Sequence, residues 1–569
     1  MNLSDRIPGF KSKDDRARYI LAPERILLVR GEVENASSLL EKAVSQTPMK
    51  AALAGGKLVP PAILRNKSGQ EKAGVLLDFG RELHGSFRFY AGVASLKSGE
   101  RHAKVLVRLG ESASEALTPF GVKNAGNDHA LRDHVYTVPF MSATETGESG
   151  FRFAYIELQD EEGELPVQSA EATLIFYDMP ETGVLHTSDP LVDKIYDTAA
   201  WTLRMNLQRY LWDGIKRDRL VWAGDLNTEV KTCLALFGDH PTLYRSLDYA
   251  RDTTPEGGWM NGYSSYSMWW VICQYDLYLA TGNMDYLKTQ KKALKGILRG
   301  IAEYIAPDGR EELPPYRFMD WPNLANAEAT HAGLQGLLRL GYLRGEALME
   351  ALGDPETASF CREKAALLAR HKPDPARSKQ AASFLALADL GDPGTLYREV
   401  IGPGGAKGYS TFLGYYTLKA AALAGEYDAA LKTMKDYWGG MIQMGATSFF
   451  EDFDIDWMEN SFGIDSLPVE GKHDLHGDFG GYCYRNFRHS LCHGWASGPV
   501  PYLQETLLGV AFLEPGGKKV RIAPHLSGLA FAEGSVPTPY GVIRVRHEAT
   551  PDGVRSEISL PEGVEAAEE

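Results

Sequence analysis

Residues 213–225 read Asp-Gly-Ile-Lys-Arg-Asp-Arg-Leu-Val-Trp-Ala-Gly-Asp, placing Asp213, Asp218 and Asp225 among Lys216, Arg217, Arg219 and Trp222. Apolar residues separate the charges, so the stretch does not read as a solvated charged face. A helical second half would put Asp218 and Asp225 on one face with Trp222 between them. Acids beside an indole suit a sugar pocket. The ring stacks on the apolar face of a pyranose, and the carboxylates bind hydroxyls and move protons. The same residue types also build buried ion-pair networks between helices, and spacing alone does not separate the two readings.

Further candidates lie in stretches that read as loops. Residues 258–263 with Trp269 and Trp270 form one aromatic cluster, and residues 318–322 bring Asp320 and Trp321, followed by His331. Residues 444–457 hold Glu451, Asp452, Asp454 and Asp456. An acidic calcium loop would need a glycine at its sixth position, where Trp457 stands, so calcium is the weaker reading. His489 and His493 have i,i+4 spacing, yet no HExxH and no third ligand accompany them, so no metal is expected. Phosphate loops, dinucleotide loops and nucleophile elbows are not seen, and no cofactor is expected. Carboxylates from two distant loops remain, and glycosidic cleavage requires such a pair: one acid for the leaving oxygen, one carboxylate to activate water or attack carbon.

The elements that must position these groups fall into three parts. Residues 1–185 are read as short strands between turn signals, economically an antiparallel β-sandwich, with a short helix near residues 36–46. Residues 186–510 are overwhelmingly helical, opening at Ser188 or Asp189 as N-cap with Pro190 behind it. Segments at 191–208, 227–237, 243–252, 267–280, 284–305, 327–352, 356–371, 379–390, 411–424 and 427–442 are joined by tight turns, which implies antiparallel pairs. Some ten to twelve helices without a fixed repeat suit a closed (α/α) toroid better than a bundle or solenoid. Residues 511–569 return to strand character as a small β domain.

The 569 residues carry a net charge of −15 and no basic cluster, which argues against nucleic acid or anionic membrane as partner. No apolar leader or membrane-length apolar run is seen, and five cysteines without CxxC spacing read as reduced thiols. A cytoplasmic location is therefore expected.

With these residues in hand, the chain resembles the bacterial α-L-rhamnosidases, glycoside hydrolases with an (α/α)₆ barrel flanked by β-sandwiches. Residues 75–85 resemble the family's N-terminal signature. Residues 213–225 resemble its central D-x-P-x-R-(D/E)-R-x-x-W-x-G-D motif, residues 445–451 its G-A-T-T-x-W-E segment, and residues 495–499 and 534–541 its C-terminal region. The resemblance implies an exo-acting, inverting hydrolase of terminal α-L-rhamnose. It puts Asp218 at the general acid, Glu451 at the general base, and Asp213 and Asp225 among the rhamnose-binding carboxylates. Arg217, Trp222, Trp269, Asp320, Trp321, His331 and His493 are further candidates for the pocket. Three departures stand out: Asp218 where many members have Glu, Gly214-Ile215 where Cys-Pro is usual, and Phe450 for a tryptophan. Arg217 and Arg219 are expected to pair with Asp213 or Asp225, leaving Asp218 to hold a proton. The expected partner is a rhamnose-containing glycoside or oligosaccharide, with self-association into a homodimer left open.

Overall fold

The computed structural model describes residues 14–41, 60–314 and 316–567. The N-terminal part is an antiparallel assembly organised on one 18-residue strand, Gly74–Ala91. Its first half pairs with Arg25–Arg30 and Ser149–Leu158, and its second half with Gly163–Phe176 and Ser142–Glu145. A strand that changes partners midway joins the layers of a sandwich. Between them Val75, Leu77, Phe87, Phe89, Phe151 and Ile156 form a dry core. Of the short helix read near residues 36–46, Ala36–Leu40 is a 3₁₀ turn, and residues from 42 on lie outside the described residues.

The helical region begins at Pro190, with the Asp189 side chain accepting the Leu191 N–H at 2.9 Å. Six of them close a ring by successive contact: Leu226–Phe237, Ser264–Thr281, Ala327–Ala351, Lys379–Leu387, Gly414–Leu423 and Pro499–Thr506, which returns to the first. Ser264–Thr281 is buried on most of its circumference, as an inner helix must be. Met284–Ala302, outside the ring, buries only the stripe of Leu287, Gln290, Leu294, Leu298, Ile301 and Ala302. This is a six-hairpin toroid. Pro499–Thr506, the helix that completes it, was not read from the sequence: eight residues with two prolines give too short a period to see.

The C-terminal strands Phe531–Thr538, Gly541–Thr550 and Gly553–Ser559 form a four-stranded sheet with Val184–Thr187, a strand from before the first barrel helix. The two ends of the helical region thus meet in one sheet. Among the described residues, no helix is long and apolar enough to cross a membrane. All five cysteines are unpaired, and only Cys483 is exposed.

Candidate active site

The helical reading of residues 213–225 is corrected by the structure. The segment is an irregular loop between Pro190–Asn206 and Leu226–Phe237, so seven-residue spacing does not put Asp218 and Asp225 on one helix face. Asp213 closes the loop on itself: its N–H donates to the Leu220 carbonyl at 3.1 Å, and its Oδ1 accepts the Leu220 N–H at 2.9 Å. Asp218 and Arg219 follow one another at φ 55° and 53°, left-handed conformations that L side chains resist. Gly214 and Ile215, the departure from the usual Cys-Pro, both have a place. Gly214 pairs with His493 in a β-bridge, and Ile215 is fully buried in the sandwich core. That approach requires Gly150, since a Cβ there would stand 2.6 Å from the Ile215 side chain and 2.8 Å from the Lys216 nitrogen. The acidic loop is therefore moulded on the N-terminal domain.

Glu451 enters from the opposite side. Its N–H donates to the Ser490 carbonyl at 3.0 Å, and its carbonyl accepts Trp495 Nε1 at 2.9 Å and Thr411 Oγ1 at 2.6 Å. Its Oε2 accepts the Ser490 N–H at 3.1 Å, and its Oε1 accepts Arg217 Nη2 at 2.5 Å. The other arm of that guanidinium, Nη1, lies 3.2 Å from Asp218 Oδ1. Arg217 thus joins Asp218 and Glu451, while Arg219 donates to the carbonyls of Glu148 and His129. The expectation that these arginines pair with Asp213 or Asp225 is overturned.

His493 Nε2 lies 3.4 Å from Glu451 Oε1 and 3.9 Å from Oδ2 of both Asp213 and Asp225. These groups, with Trp222, Tyr263, Tyr266, Phe318, Trp321, Tyr484 and Trp495, line a cavity of about 240 Å³ that Asp218 and Arg488 also border. Its electrostatics are divided. Burial pushes Glu451 up, but Arg217 and then His493 outweigh it and hold the carboxyl well below its ordinary value. Burial and then Asp225 push Asp213 well above its ordinary value, and burial and then Glu229 do the same to Asp225. The floor is thus divided, Glu451 favouring the charged form and Asp213 and Asp225 the protonated form.

Three expected pocket residues lie elsewhere. Trp269 is 1% exposed and packs on Phe384 and Tyr416 inside the ring, because an indole on an inner helix fills core. Asp320 is buried one residue from the cavity, accepting Asn323 Nδ2 at 2.6 Å and Ser410 Oγ at 3.3 Å, with burial pushing its carboxyl up to about 6. It shapes the turn that presents Trp321. His331 faces Glu311 at 2.6 Å and His371 at 2.8 Å rather than the cavity. Tyr266, Tyr484 and Arg488 border the cavity without having been singled out in the sequence, where each is an isolated residue in no motif.

His489 and His493 do not act as a ligand pair. His489 Nε2 accepts the Asp452 N–H at 2.8 Å, and His493 points at the carboxylates. Glu111, Glu115 and His476 do bring donor atoms together. Lys216 Nζ, 3.0 and 3.2 Å from the two carboxylates, and Arg132, paired with Glu115, already occupy them.

Comparison with known proteins bears on the fold. Residues 180–335 match the bacterial alpha-L-rhamnosidase 6 hairpin glycosidase domain, and residues 509–567 match the bacterial alpha-L-rhamnosidase C-terminal domain. These two segments are thus similar to bacterial alpha-L-rhamnosidase domains. A curated alpha-L-rhamnosidase of Alteromonas sp. is 24% identical over 557 residues, covering 86% of this chain and 55% of its own length. Another, of Streptomyces avermitilis, is 26% identical over 278 residues, covering 46% of this chain and 26% of its own. The chain thus spans about half the length, or less, of the curated rhamnosidases it matches. Among solved structures, the GH78 family rhamnosidase of Bacillus sp. GL1 superposes with a TM-score of 0.73 at 20% identity, covering 93% of this chain and 56% of its own. The Klebsiella oxytoca rhamnosidase, solved with rhamnose bound, gives 0.68 at 20% identity, covering 86% and 96%. At that identity the likeness establishes the rhamnosidase fold.

Proposed function

We propose that the chain is an exo-acting α-L-rhamnosidase that hydrolyses terminal α-L-rhamnose from glycosides with inversion. Asp218 is the general acid and Glu451 the general base. Residues 186–510 form its catalytic domain, with residues 1–185 and 511–569 as flanking β domains. The observation that carries the reading is the shared guanidinium of Arg217, which holds Asp218 and Glu451 on different nitrogens at the mouth and floor of one small cavity. Each carboxylate faces its own arm, so they are kept out of mutual contact. Inversion needs the two carboxyls roughly 6.5–9.5 Å apart, with room for a water, against roughly 5 Å in a retaining pair.

The steps follow from the site. A pyranose lies on the floor of Asp213, Asp225 and His493, with Trp222, Tyr266 and Trp321 as aromatic walls. Asp218, the more exposed carboxyl, protonates the glycosidic oxygen as the bond breaks. Glu451 takes a proton from a water entering on the opposite face of the ring, and Arg217 keeps that base ionised. The cavity's small size suits one terminal sugar ring and leaves the rest of the substrate outside.

A uronic sugar in the same fold is disfavoured. Its carboxylate would meet the buried, ionised Glu451, and the cavity's cations Arg217 and Arg488 are already engaged. The remaining rivals are a related hydrolase or lyase for another deoxy sugar and a binding protein that turns nothing over. Purified protein incubated with p-nitrophenyl α-L-rhamnopyranoside, with NMR of the first-formed sugar, tests these readings. Release of β-L-rhamnose is expected. First-formed α-L-rhamnose would overturn inversion, and binding without release would overturn the enzyme.

A further inference from the structure

The backbone that carries Asp218 does not hold its own shape. Asp218 and Arg219 are consecutive left-handed residues without glycine, and no helix or strand encloses them. The group that meets this backbone comes from the N-terminal β domain. The Asp218 N–H donates to Nδ1 of His129 at 2.5 Å, and that nitrogen lies 3.2 Å from Asp218 Oδ1, the oxygen that also faces Arg217. Since an amide N–H can only donate, Nδ1 is the bare nitrogen and the ring proton is on Nε2. Arg219 grips the same loop, donating to the His129 carbonyl and, at 2.8 Å, to that of Glu148. Beside them, Arg488 of the cavity rim binds Asp128 at 2.8 Å.

The loop is itself fixed. Asn127 Oδ1 accepts the N–H groups of Arg132 at 2.8 Å and Asp133 at 2.9 Å, and Arg132 Nε donates to the Gly126 carbonyl at 3.2 Å. His129 is therefore anchored through its own domain, and its ring is the direct contact between that domain and Asp218.

We propose that His129 is a positioning residue for the proton-donating step, so that the N-terminal β domain completes the active site. By accepting the Asp218 amide, the imidazole fixes the left-handed turn and with it the direction in which the carboxyl faces the leaving oxygen. A shorter acid such as Asp218 depends on this placement, because its single methylene leaves few ways to make up a displaced backbone. The proposal rests on the reading of Asp218 as general acid.

The test compares two substrates that need proton donation to different degrees. The leaving group of 2,4-dinitrophenyl α-L-rhamnoside departs with little help, whereas methyl α-L-rhamnoside needs its oxygen protonated. Turnover of both is measured for the full chain and for Asp218→Asn, His129→Ala and His129→Asn. Asp218→Asn should lose much more on the methyl glycoside. His129→Ala should show the same bias, with kcat on the methyl glycoside falling about 10–100-fold further than on the dinitrophenyl one. His129→Asn, whose side-chain carbonyl can accept the same N–H, should recover most of the loss. A biased Asp218→Asn beside an unbiased His129→Ala overturns the proposal alone. An unbiased Asp218→Asn overturns the acid assignment and this proposal with it. Loss of folding in His129→Ala, read by its thermal melt, hands the decision to His129→Asn: wild-type selectivity supports the role, and failure on both substrates alike rejects it.

Discussion

The two proposed catalytic carboxyls are held in opposite ways. Glu451 is 2% exposed, its backbone and both side-chain oxygens are bonded within the helical domain and its loops, and a cation fixes its charge. Asp218 is on a strained loop, its side chain 20% exposed, and it is steadied from another domain. The difference matches the chemistry. A base that must stay ionised gains from burial beside a guanidinium, whereas a group that gives up and regains a proton in each cycle needs an opening towards solvent and the leaving group. The two sides are therefore separable by mutation.

The largest effect is expected on the buried side. Glu451→Gln keeps the shape and the Ser490 contact but cannot take a proton, so kcat should fall about 10³–10⁴-fold on activated and unactivated rhamnosides alike. A leaving-group-dependent loss would show that the two roles are exchanged. Gly150→Val comes next. Its side chain would drive Ile215 and Lys216 off the sandwich, costing about 1–3 kcal/mol of stability by thermal or urea melt. Its residual activity should show the acid-side bias, since Asp218 lies on the displaced loop. Equal losses on good and poor leaving groups would mean that the sandwich supports both carboxyls, and the comparison would break.

Arg217→Gln tests the link between the two sides. With the guanidinium gone, burial is opposed chiefly by His493, so the Glu451 carboxyl should rise toward and beyond its ordinary value. A base works only when deprotonated. The acidic limb of kcat/KM should therefore move to higher pH by about one unit or more, with activity recovering as pH rises. An unmoved limb would mean that Arg217 does not set the charge of the base.

How far the sequence went differs between these same regions. Long periodic helices were readable almost to the residue: the segment read as 327–352 is Ala327–Ala351, and Asp189 and Pro190 marked the barrel's start. The toroid followed from their number and short turns, while its closing helix, Pro499–Thr506, was too brief to register. The acidic loop failed as a helix because that reading rested on the seven-residue spacing of Asp218 and Asp225, whereas what fixes the segment is its docking on Gly150 and His129. Contacts between residues 89 positions apart leave no local pattern. Trp269 and His331 show the converse. An aromatic or a histidine near a loop has the same composition whether it faces a cavity or a core, and only the helix's rotation in the ring decides.

The smallest predicted effect separates binding from stability on the cavity floor. Asp225 Oδ1 is buried without a hydrogen-bond partner, and burial, then Glu229, hold the carboxyl well above 3.8. An acid whose folded value is raised keeps its proton in the native state over a range where the unfolded chain has released it. Stability therefore falls as pH rises above about 4, and the loss is present at neutral pH. Asn cannot ionise, so Asp225→Asn should remove that slope and raise Tm by about 1–3 °C at pH 7, with the gain shrinking toward zero near pH 4. If the carboxyl serves sugar hydroxyls, KM for the rhamnoside should rise about tenfold in the same variant, a stability gained where function had required a poorly satisfied acid. A Tm gain that persists unchanged at pH 4 would show that the benefit is packing, and a lower Tm at pH 7 would show that Asp225 is a supporting member of the fold. Either result would merge the floor with the base side, leaving Asp218 as the catalytic carboxyl held from another domain.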